Sequence, residues 1–124
     1  MSGRNTLEGL RVLVVEDTYF AAVAVARLLD TLHCKVIGPA PTVQRALELL
    51  EHDRPDAALL DINLGDETAE RIADVLAAQH IPFIFLTGYA SPAMPGGHSG
   101  RRRVSKPVTL ETLAEAIREE LHAA

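Results

Sequence analysis

Residues 11–17 read Arg11-Val12-Leu13-Val14-Val15-Glu16-Asp17, an unbroken apolar run that stops at two acids. A strand with one wet face would alternate apolar and polar residues. A continuous β-branched run instead suits a strand covered on both faces, as in a parallel sheet between helices. Outward from this run, strand and helix patterns alternate along the chain. Thr18 to Leu32 reads as a helix, and Lys35-Val36-Ile37-Gly38 as a short strand ended by Pro39 and Pro41. Thr42 is a good N-cap for a helix with the stripe Val43, Ala46, Leu47 and Leu50. Pro55 precedes a third strand, Ala57-Ala58-Leu59-Leu60. A helix is expected from about Glu67 to Gln79, with Asp66 able to cap it, and a fourth strand over Ile81 to Leu86. A short fifth strand near Arg102–Ser105 leads to a last helix capped by Thr109, with Leu110, Leu113, Ala114, Ile117 and Leu121 on one face. The expectation is an α/β fold, a doubly wound five-stranded parallel sheet with helices on both sides.

One unit departs from the pattern. Ala90–Gly100, where a helix is due, holds Pro92, Pro95, Gly96, Gly97 and Gly100, with Met94 its only large apolar residue. Prolines at about 3 kcal/mol and glycines at about 1 kcal/mol each disfavour a continuous helix, so an irregular loop is expected.

The 124 residues fit one domain, 1–124, with about 1–8 as a flexible N-terminal extension. Twelve basic against 17 acidic side chains give a net charge of −5, which argues against nucleic acid as a partner. The single cysteine, Cys34, excludes an internal disulfide and favours a reducing, cytoplasmic setting. No secretory signal is visible in the first ten residues, and no apolar stretch is long enough to span a membrane. The five histidines are scattered, and Arg101-Arg102-Arg103 reads as a solvated rim beside the fifth strand.

In an open parallel sheet, ligands bind at the carboxyl ends of the strands. Glu16 and Asp17 follow the first apolar run, Asp61 the third, Thr87 the fourth and Lys106 the fifth. Three carboxylates, a hydroxyl and an ammonium thus converge on one rim. Three acids and one lysine leave a charge of −2, which one divalent cation neutralises. Hard oxygen ligands with positions left for water suit Mg²⁺. Any one of these residues alone reads more readily as a cap or turn residue.

Taken together, these residues resemble the response-regulator receiver domains of two-component signalling, over nearly the whole chain. The resemblance implies the flavodoxin-like strand order 2-1-3-4-5. Asp61 matches the phosphoacceptor aspartate, Asn63 the residue whose backbone carbonyl completes the metal site, Thr87 the switch hydroxyl, and Lys106-Pro107 the lysine with its cis-proline. By the same analogy Asp17 is the direct Mg²⁺ ligand and Glu16 acts through water. Two features depart from the family. Arg103 stands where an aromatic switch residue is usual, and the fourth helix gives way to the Pro/Gly segment. Both resemble a single-domain subfamily with a Pro-Phe-x-Phe-Ala-Thr-Gly-Tyr signature, here Pro82-Phe83-Ile84-Phe85-Leu86-Thr87-Gly88-Tyr89. That likeness implies that Tyr89 replaces the missing aromatic switch, the alternative being a purely structural tyrosine.

The resemblance implies a phosphoacceptor switch that catalyses only its own phosphorylation and dephosphorylation. Its donor would be a sensor histidine kinase or phosphotransfer protein, and its output would run through protein contacts. A phosphorylation-independent pseudo-receiver adaptor is the alternative, although it has no need of the full residue set. A phosphohydrolase with an aspartyl-phosphate intermediate would carry a second acid two residues after Asp61, where Asn63 stands. The first helix is the expected kinase-docking face. Phe20, Ala21, Ala24, Val25, Leu28 and Leu29 are expected to face the sheet, leaving Ala22, Val23 and Ala26 outward.

Overall fold

In the computed structural model, residues 7–64, 67–88, 97–98 and 100–123 are described. Strand β1 (Arg11–Val15) leads to helix α1 (Tyr19–Thr31), β2 (Lys35–Ala40), α2 (Val43–His52) and β3 (Ala57–Asp61). A two-stranded ribbon of β4 (Asn63–Leu64) and β5 (Glu67–Thr68) precedes α3 (Glu70–Ala78), β6 (Phe83–Thr87), β7 (Arg103–Ser105) and α4 (Leu110–Ala123). The main sheet is parallel throughout, in the order β2-β1-β3-β6-β7. Counting only its own strands, this is the expected 2-1-3-4-5 order.

The alternation of side chains along each strand explains the continuous apolar runs. Leu13, Val15, Ala58, Leu60, Phe83 and Phe85 face α2 and α3. Val12, Val14, Leu59, Ile84, Leu86 and Val104 face α1 and α4. Thr42 caps α2 as expected, its hydroxyl accepting the Arg45 N–H at 3.1 Å. Thr109 and Thr112 exchange hydroxyl–amide bonds at 3.2 Å each at the start of α4. The Lys106–Pro107 peptide is cis.

Several boundaries differ from the sequence reading, each for a physical reason. Pro39 does not end β2, because β2 is an edge strand and an edge tolerates a missing N–H. The register instead shifts there, from Leu13 opposite Ile37 to Val15 opposite Ala40. Helix α3 begins at Glu70, not Glu67, because Glu67 and Thr68 pair antiparallel with Leu64 and Asn63. Asp66 lies outside the described residues. Leu7 is fully buried, so packed chain reaches back into the expected 1–8 extension. In α1 the inward face is Ala22, Val25 and Leu29, while Phe20 is 81% exposed and Ala24 is exposed. The expected stripe is therefore rotated: only Arg27, Asp30 and Thr31 are polar in this helix, too few to fix its phase.

Of the expected loop at 90–100, residues 90–96 and 99 lie outside the described residues. His98 is buried, its Nε2 2.7 Å from Asp74 Oδ1 on α3 and its ring edge-on to Phe83. The arginine cluster is not a free rim. The Arg101 guanidinium lies 4.4 Å from the Phe83 ring centre, and Arg102 pairs with Glu119 at 2.6 Å. Among the three, Arg103 is the exposed one.

Helices α1 and α3 end alike. His33 and His80 have φ of 64° and 60°. The following amides, of Cys34 and Ile81, donate back to Leu29 and Leu76 at 2.9 Å each. This is the Schellman closure, in which the left-handed residue is usually glycine. A histidine Cβ is strained there, so His80→Gly should stabilise the protein by about 0.5–1 kcal/mol. Urea denaturation measures it, and a loss of stability would contradict the assignment.

Candidate functional site

The carboxyl ends of β1, β3, β6 and β7 bring the rim residues together as the sequence suggests. Asp61 closes β3 and is 3% exposed; Glu16 follows β1 and is 1% exposed; Asp17 is exposed. One carboxylate oxygen from each of the three lies within 4.8 Å of the others. Glu16 is seated by its backbone, whose N–H donates to Ala40 C=O at 2.9 Å. Lys106 reaches over from the end of β7, its Nζ 3.0 Å from Glu16 Oε2 and 3.1 Å from Asp61 Oδ2. The other Asp61 oxygen accepts the Asn63 N–H at 3.0 Å. Thr87 ends β6, half-buried, and its carbonyl accepts the Lys106 N–H at 2.7 Å. Tyr89 lies outside the described residues.

The electrostatics follow from this crowding. Burial, then contact with the Asp61 carboxylate, raises Glu16 from 4.5 to about 7, against the opposing pull of Lys106. Burial alone would lower Lys106, yet its contacts with Glu16 and Asp61 hold its ammonium above the ordinary lysine value.

The residues fit a hard divalent cation. Both Glu16 oxygens are buried with the Lys106 ammonium 3.0 Å from one of them, and the acidic cluster spans little more than the roughly 4.2 Å between opposite oxygens around Mg²⁺. Its ligand set would be all oxygen, as that ion prefers.

Two features escaped the sequence reading. Tyr19 and Phe20, three or fewer residues beyond Asp17, are 74% and 81% exposed with rings edge-to-face at 5.6 Å. Beside them a groove of about 220 Å³ runs from Glu16 and Lys106 along Ala21, Ala24 and Leu28 to Pro107 and Val108. An acidic pair followed closely by two aromatics was the available signal; the uncertain phase of α1 hid it.

A doubly wound parallel sheet whose rim joins an acidic cluster to a lysine defines a class of signalling fold, and the sequence comparison agrees. Residues 12–118 match the response regulator receiver domain, and the chain belongs to that family of two-component signalling. It is 39% identical over 88 residues to the sensory transduction protein LytT of Bacillus cereus, covering 68% of this chain and 36% of LytT. To the phyllosphere-induced regulator PhyR of Methylorubrum extorquens it is 32% identical, covering 68% of this chain and 33% of PhyR. It thus spans about a third of those relatives' lengths. The solution structure of SdrG from Sphingomonas melonis superposes with a TM-score of 0.82 at 33% identity, covering 91% of this chain and 97% of SdrG. Among the described residues, no helix is long and apolar enough to cross a membrane.

Proposed function

We propose that this chain is a Mg²⁺-dependent phosphoacceptor switch. Asp61 takes a phosphoryl group from a phosphohistidine on a sensor histidine kinase or phosphotransfer protein, and the phosphorylated form signals through protein contacts from the cytoplasm. The observation that carries this reading is Asp61 itself, one oxygen oriented by the Asn63 N–H and the other by Lys106.

Asp17, Asp61 and the Asn63 backbone carbonyl would hold Mg²⁺, with Glu16 beside it. Bound there, the ion would offset charge that otherwise repels the incoming phosphoryl oxygens. Asp61 supplies an oxygen electron pair to phosphorus as the phosphorus–nitrogen bond breaks. That bond's electrons stay on the donor imidazole, which takes up a proton from solvent. Lys106, already touching Asp61, follows the transferred charge. The Thr87 hydroxyl, on the same rim, would donate to a phosphoryl oxygen, and Tyr89 would relay its movement. The reading covers 1–124 as one receiver unit.

The test is incubation with acetyl phosphate and Mg²⁺, borohydride trapping of the acyl phosphate, and peptide mass analysis. A single modification at Asp61, lost in EDTA, is expected. No modification, as a pseudo-receiver adaptor would give, or modification elsewhere, overturns the proposal.

The aromatic pair and the adjoining apolar groove suit a helix of the phosphohistidine donor, since exposed aromatics at an interface centre commonly contribute about 2 kcal/mol or more. Phe20→Ala should slow transfer from the cognate donor by roughly tenfold or more at that magnitude. Acetyl-phosphate labelling should not change, because Phe20 is 81% exposed and the Asp61 oxygens are held by Asn63 and Lys106 instead. Equal loss in both assays would contradict the docking role.

A further inference from the structure

The ribbon after Asp61 ends on an unexpected anchor. Glu67 pairs across the ribbon with Leu64, and its Oε1 accepts the N–H of Val43, the first residue of α2, at 3.3 Å. Helix N-termini carry unpaired amides and a positive dipole end, both of which favour a carboxylate. Thr42 does not serve this amide, because its hydroxyl accepts from Arg45. Leu64 is buried in the core between these elements, so the ribbon is tied down at both ends.

The tie connects the two halves of the acidic cluster. Asn63, whose N–H holds Asp61, pairs with Thr68 in the ribbon that Glu67 anchors. Helix α2 in turn follows directly on β2, whose Ala40 carbonyl holds the Glu16 amide. We propose that Glu67 is a positioning residue: it moors the β4–β5 pair to α2 and so sets the Asn63 backbone against Asp61 for cation binding. This rests on the reading of Asp61 as the phosphoacceptor beside a Mg²⁺ site.

The test compares Glu67→Ala with Glu67→Gln in the full chain. MgCl₂ is titrated while the amide resonances of Asn63 and Val43 are followed by NMR. Removing a partner that orients a metal ligand commonly weakens binding 10–100-fold; Glu67 acts through a backbone ribbon, so about fivefold is expected for Glu67→Ala. Glu67→Gln keeps an oxygen acceptor and should stay within about twofold of the parent on the same scale. A merely structural role would lower the melting temperature and leave Mg²⁺ affinity alone, which would overturn the proposal. Equal loss in both variants would overturn it too. If Mg²⁺ affinity responds as expected while the parent takes no phosphoryl group on Asp61, the mooring stands and the phosphoacceptor reading falls.

Discussion

An Asp61→Asn variant is expected to take up no phosphoryl group from acetyl phosphate and Mg²⁺, and to bring the Glu16 carboxyl down from about 7 toward the ordinary range. The first effect follows because a neutral amide oxygen lacks the negative charge that makes a carboxylate oxygen nucleophilic toward phosphorus. The second follows from what surrounds Glu16. Contact with Asp61 and its negative charge both raise Glu16, while Lys106 lowers it. With asparagine at 61, those two influences go and Lys106 keeps Glu16 as its one carboxylate partner within the described cluster. Burial then remains the only upward push. Intact mass reads the first effect, and a carbon-detected carboxyl titration reads the second. Persistent labelling would name another nucleophile, and a Glu16 unmoved at about 7 would mean that burial alone sets it.

Much of this site was legible in the sequence because it depends on where strands stop. A strand covered on both faces announces its own length, so Glu16 and Asp61 could be placed at carboxyl ends from the apolar runs alone. The structure makes Asp61 the last residue of β3 and puts Lys106 one residue beyond β7. Burial of the two acids was not legible, since it depends on neighbours from four elements. Helix phase was the weakest reading. In α2 and α4 the polar residues fix the stripe, and Val43, Ala46, Leu50, Leu113 and Ile117 are buried as expected. In α1 the apolar residues run nearly all round, so propensity cannot choose a face and packing against the sheet decides. Glu67 illustrates a third limit. An acid before an apolar-periodic segment is an ordinary first-turn residue by local rules. Its use at the start of a different helix, 24 residues earlier, is a tertiary fact.

The metal-free protein should lose stability as pH rises from about 4.5 to about 7, and a Glu16→Gln variant should not share that loss. Glu16 is raised in the folded state from 4.5 to about 7. A carboxyl so raised binds its proton more tightly folded than unfolded. Its contribution is therefore fully present below the unfolded value and disappears as pH climbs through the folded one. A rise of that size corresponds to roughly 3 kcal/mol. Lys106, also raised, contributes below its ordinary value, so its effect is flat across this window. Subtracting the Glu16→Gln stability from that of the parent, both in EDTA, cancels the remaining carboxylates. The difference should fall across the window and then level. Mg²⁺ should reverse it, because a cation favours the ionised form and must displace the proton. For one proton with a pKa of about 7, apparent Mg²⁺ affinity should rise about tenfold between pH 6 and pH 8, and Glu16→Gln should flatten that slope. Urea denaturation and MgCl₂ titration measure the two halves. A parent protein whose stability relative to the variant does not change with pH would mean that Glu16 is ionised throughout, balanced by Lys106 alone.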